Sequence, residues 1–110
     1  MSNNESIVEE SSGNIFADLG LEDADALLTN AELARQISAT IKQRQLTQKE
    51  AAKILGVDQP KVSALSRGAL KGFSTERLLH YLSCLHFDVE IKIKPSSNKK
   101  RPGRIVVSAP

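Results

Sequence analysis

The sequence predicts a mainly α fold: a small helical bundle that contains two short helices joined by a glycine turn and ends in a C-terminal β-strand. Three observations predict it. Apolar residues recur at three- and four-residue steps from Asp23 to about Arg44 and again from Leu78 to Leu85, the period of helices buried along one side. Cap and stop residues divide 47–68 into two short pieces, with Gly56 between them. Residues 87–94, FDVEIKIK, then alternate strictly between apolar and polar, the period of a half-buried strand.

Each element has its own local reason. Residues 1–13 are polar, rich in Ser, Asn and Glu, and read as a disordered acidic tail. Residues 14–94 form the expected domain, opening on NIFADLGL, a short apolar piece expected to pack against the body. In the next segment Leu27, Ala31, Ala34, Ile37 and Ile41 mark one face of an amphipathic helix. Thr29 and Glu32 have the spacing of a capping box that would restart this helix. No Gly or Pro interrupts it, so a single helix is preferred over a kinked pair.

Thr47 and Glu50 form a second T-x-x-E box, which starts a helix at Gln48. Gly56 ends it, and Asp58 caps the next, with Pro60 in the first turn where its missing N–H costs nothing. That helix ends at Arg67-Gly68. Ser74 caps a fourth helix, with Phe73 and Leu78 spaced as a hydrophobic staple, and Leu78, Leu79, Leu82 and Leu85 give it a broad apolar face. The strand that follows lacks a mate in sequence. Pairing with its copy in a two-fold dimer is favoured, and a hairpin with Ile105 to Val107 is the alternative. Residues 95–110, with the run Lys99-Lys100-Arg101, read as a basic flexible tail.

Composition narrows the class. A chain of 110 residues holds one domain, and its four aromatic residues leave the core to Leu, Ile, Val and Ala. Residues 1–30 carry seven acids and no Lys or Arg, whereas residues 31–110 carry all 15 bases against six acids. A basic body under an acidic head suits a polyanion-binding domain whose head tempers non-specific contacts, or simply a solvated tail. No apolar run approaches the roughly 18 residues of a membrane span, no signal peptide is evident, and Cys84 is alone, so a reducing cytoplasm is expected.

The central stretch LTQKEAAKILGVDQPKVSALSRG carries the chemistry. In its second helix Val62 and Leu65 point inward, while Pro60, Ser63, Ala64 and Arg67 share the outer face, with Gln59 at the exposed start. This is the plan of a helix-turn-helix, whose second helix enters the DNA major groove. The outer face has little bulk before Arg67 and can approach base edges closely. Gln59 suits adenine N6 and N7, Pro60 or Ala64 a thymine methyl, and Lys61 and Arg67 guanine or phosphate. Gln48 opens the preceding helix, where its side chain and the first amides can grip a phosphate.

The run resembles the Cro/CI-type (XRE) helix-turn-helix regulators. With NIFADLGL, GFSTERLL and FDVEIKIK, the stretch from Asn14 to Lys94 is similar more narrowly to the HigA-like antitoxins and their stand-alone regulator relatives. The resemblance implies a lambda-repressor-like bundle and a homodimer on a palindromic operator in double-stranded DNA. It often also implies a RelE-like ribonuclease toxin as partner. It assigns phosphate contact to Gln48, base contact to Gln59, Lys61 and Ser63, and backbone contact to Arg67. Two positions depart from the pattern: Ser66 replaces a common Glu, and His86 stands where a Gly often closes the fourth helix.

Catalysis finds no support. His80 and His86 lie six apart, which does not put two ligands on one helix face, and both read as structural histidines. Cys84 is expected to face the core. No catalytic triad, phosphate loop or carboxylate pair is evident. The sequence reading is therefore no enzyme, no cofactor and no metal.

Overall fold

The computed structural model describes residues 23–108. The acidic tail and the NIFADLGL segment expected to pack on the body lie outside these residues. Four helices follow in order: α1 (Asp23–Gln43), α2 (Gln48–Leu55), α3 (Gln59–Arg67) and α4 (Thr75–Cys84). Helix α1 packs on α4 and α3, and α2 packs on α3. One core joins them, made of Leu33, Ala34, Ile37 and Ile41 of α1, Ala51, Ala52 and Leu55 of α2, Val62 and Leu65 of α3, and Leu78, Tyr81, Leu82 and Leu85 around α4.

Helix α1 is continuous, as the absence of Gly and Pro implied. Its buried face differs from the expected one at the N-terminal end. Leu27 and Leu28 are 67% and 69% exposed and Ala31 is exposed, whereas Thr29 and Leu33 are buried. The capping box expected at Thr29 and Glu32 is not formed. Thr29 Oγ1 instead donates to the Ile105 carbonyl at 3.5 Å, and Glu32 pairs with Arg35 at 2.6 Å. The burial of Thr29 has a physical cause: residues 104–107 return across this part of α1, and the Asn30 amide oxygen accepts from Thr75 at the start of α4.

All four helices end in the same way. A left-handed residue stands at Gln45, Gly56, Gly68 and His86. The next N–H then reaches back to a helical carbonyl: Leu46 to Ile41, Val57 to Ala52, Ala69 to Ala64 and Phe87 to Leu82, all within 2.9–3.0 Å. This closure absorbs carbonyls that the last turn leaves free. His86 adopts φ 69° without the freedom of a glycine, a conformation that costs an L-residue roughly 1–2 kcal/mol.

The C-terminal strand is not seen among the described residues. Residues 87–94 have no ladder partner, and the alternating side chains grow more exposed along the segment: Val89 44%, Ile91 74%, Ile93 94%. Alternation fixes which side chains share a face, but a strand also needs a neighbour for its N–H and C=O groups. The hairpin alternative is not formed either. Ile105 and Val107 lie against α1, with Val107 packed on the core.

Candidate nucleic-acid interface

The turn between α2 and α3 is built by local chemistry. Thr47 Oγ1 accepts the Glu50 N–H at 3.0 Å, and the Glu50 carboxylate accepts the Thr47 N–H at 2.8 Å. Together they complete the capping box. The bond from the Thr47 backbone holds the Glu50 carboxyl below its usual range. Gly56 at φ 73° turns the chain, and the Asp58 carboxylate accepts the Lys61 N–H at 3.2 Å to start α3. Ala51, Ala52 and Leu55 face Val62 and Leu65 in the core, and Ser38 of α1 donates to the Leu65 carbonyl at 3.3 Å, tying the end of α3 to the bundle. Helix α3 is thus fixed at its start, along its inner face and at its end.

Its outer face lies where the sequence pattern placed it. Gln59, Pro60 and Lys61 are exposed, Ser63 and Ala64 are half-buried, and Arg67 is exposed. Arg67 donates to the Ser63 hydroxyl one turn back, so the guanidinium lies along the helix. The Lys61 ammonium sits 5.8 Å from the Phe73 ring centroid, which draws it toward the loop before α4. Gln48 is exposed at the first position of α2, where the N–H groups have no intrahelical acceptor.

Charge is distributed to match. Two of the acids between Gln48 and Arg77, Glu50 and Asp58, are used as caps, and Glu76 lies in the first turn of α4. Among the described residues the only ion pair is Glu32–Arg35, so Lys49, Lys53, Lys61, Arg67, Lys71 and Arg77 have no acidic partner within 4.0 Å among those residues. Sequence reasoning passed over Lys71. It is exposed on the loop that the Lys61–Phe73 contact brings beside α3. A base in the short loop just after a recognition helix was the available signal.

Residues 15–94 match the model of the family described as "Helix-turn-helix domain". A solved structure described as an XRE family transcriptional regulator is 43% identical, with TM-score 0.74, covering 80% of this chain and 99% of its own. The chain belongs to the XRE-type helix-turn-helix family. Among curated proteins none matches.

The XRE-type bundle has no helix long and apolar enough to cross a membrane among its described residues. No group of three or more His, Cys, Asp or Glu is placed to hold a metal among them. Neither histidine is a core residue, because His80 and His86 are both exposed. Cys84 is half-buried against the core, but its sulfur also lies 3.5 Å from His80 Nε2.

Proposed function

We propose that this protein is a sequence-specific DNA-binding transcriptional regulator that acts as a homodimeric repressor. The observation that carries the proposal is the outer face of α3, where Gln59, Pro60, Ser63 and Ala64 present short or hydrogen-bonding side chains up to Arg67, with Lys61 exposed beside them. Such a face admits base edges at hydrogen-bonding distance, and the surrounding unpaired bases supply phosphate neutralisation. One copy reads only half a site. Two copies, paired through residues 87–94, would read half-sites about one helical turn apart. The exposed apolar side chains of Val89, Ile91 and Ile93 support that pairing.

Selection from random duplexes at two salt concentrations tests the proposal. It should enrich one palindrome at both, with affinity falling steeply as salt rises. Enrichment of no sequence at either salt would leave only general affinity for polyanions and reject the assignment.

A second reading is favoured by the separation of charge, with seven acids and no bases in residues 1–30. In it the protein is a HigA-like antitoxin that masks a basic RelE-like ribonuclease and represses its own operon. An acidic segment complements the RNA-binding surface of such an enzyme. The test is whether the adjacent reading frame encodes a small basic protein whose toxicity this chain relieves. Its absence, with no toxin co-purifying, leaves the stand-alone regulator.

A further inference from the structure

Helices α1 and α3 leave an open groove of about 470 Å³ beside the end of the recognition helix. Its floor is apolar: Ala34 and Leu65 are buried there and Leu70 is half-buried. Small side chains, Ala31, Ser38 and Ala39, keep it open along α1. Its rim is basic, with Arg35, Lys42 and Arg67. Arg35 is paired with Glu32, whereas Lys42 and Arg67 have no acidic partner within 4.0 Å among the described residues.

We propose that residues 14–22 of the same chain, NIFADLGLE, dock in this groove and bring the acidic head over Arg67, where it competes with DNA phosphates. The competition rests on the DNA-binding reading; the docking does not. Length and position fit. Helix α1 begins at Asp23, directly after this segment. At about 1.5 Å per residue, Ala31 lies about 12 Å and Ala39 about 24 Å along the helix from that point. A chain running back from Asp23 at about 3.3 Å per residue brings Leu19 to about 13 Å and Phe16 to about 23 Å. Two large apolar side chains thus meet the two ends of the small-residue floor. Glu9 and Glu10, further back in sequence, have chain to spare to reach Lys42 and Arg67. Charge selects this groove over the other opening on α1. That one is rimmed by Asp25 and Glu32 against a single base, Arg104, whereas residues 1–22 carry no Lys or Arg. The family match begins at Ile15, so Phe16 and Leu19 belong to the shared domain. Every duplex must displace the head to reach Arg67, so the head lowers affinity for all of them.

Phe16→Trp gives the full-length chain its sole tryptophan and tests the docking. Its emission should be blue-shifted, shielded from acrylamide and unchanged on dilution. Adding Ala39→Glu, a change at an exposed position of α1, should shift the emission to the red while keeping the helical circular-dichroism signal. Phe16→Ser keeps every acid of the head and should bind an unrelated duplex severalfold more tightly than wild type at low salt. A solvent-exposed emission, or a buried one indifferent to Ala39→Glu, would overturn the docking site. A blue shift lost on dilution would give the groove to the segment of a second copy and overturn the intrachain arrangement. Equal DNA affinities of wild type and Phe16→Ser would overturn the competition. Absence of DNA binding by both, with the emission still blue-shifted, would reject the DNA-binding reading and the competition with it, and leave the docking standing.

Discussion

The Arg67 guanidinium donates to the hydroxyl of Ser63 one turn earlier on the recognition helix. The longest side chain of the outer face is thereby held along the helix before any ligand arrives. Arg67→Ala should weaken binding to all duplexes alike and lower the salt dependence by about one counterion. Titrations of operator and unrelated DNA across a salt series will show it. A loss confined to one base pair would make Arg67 a base reader instead.

The capping box at the head of α2 should respond to acid. Folding lowers the Glu50 carboxyl from its usual value, so its contribution is fully present above the ordinary glutamate value of about 4.3. It is lost as pH falls through the lowered one. Thr47→Ala removes the cap at all pH values and should cost about 1 kcal/mol at neutrality. Glu50→Ala instead removes the carboxylate that accepts the residue 47 N–H, so denaturation of wild type and Glu50→Ala between neutrality and strong acid should show their difference shrinking as Glu50 protonates. A difference that stays constant would show that Glu50 is not linked to the cap.

His86 closes α4 in the left-handed region, as Gln45 closes α1, where α2 and α3 use glycine. His86→Gly removes a side-chain penalty and should stabilise the domain by about 1 kcal/mol, less what the freer unfolded chain returns. Thermal melting measures it, and an unchanged or lower midpoint would mean that the imidazole makes a compensating contact.

These positions also show where the fold was legible in the sequence. Thr47, Glu50, Gly56, Asp58, Gly68 and Ser74 act through chain neighbours, so their roles could be read from spacing alone. The buried face of α1 could not. Leu27 and Ala31 continue the apolar stripe, but Thr29 and Leu33 are buried because α4 and residues 104–107, distant in sequence, arrive there. Residues 87–94 have the pattern of a strand but no partner among the described residues. The outer face of α3 was legible because Val62 and Leu65 fix its phase. The His80–Cys84 contact was legible as well, because residues four apart share one helix face.

Arg44 donates to the Leu85 carbonyl at 2.9 Å and lies 5.6 Å from the Phe87 ring, anchoring the root of the exposed segment. Beyond that anchor Ile91 is free to meet a second copy. Ile91→Asp should leave the melting behaviour of the monomer unchanged, shift the protein from dimer to monomer in light scattering, and weaken operator binding. A persistent dimer would place the interface on α4.

The most direct measurement of the central claim is the affinity of wild type and Gln59→Ala for the selected operator and each of its single-base variants. Gln59 opens the recognition helix, exposed and next to the Asp58 cap. The account predicts that Gln59→Ala loses about 1–3 kcal/mol of discrimination at one base pair and keeps its preferences elsewhere. A variant that matches wild type on every duplex would contradict the reading of this helix face as the one that recognises DNA.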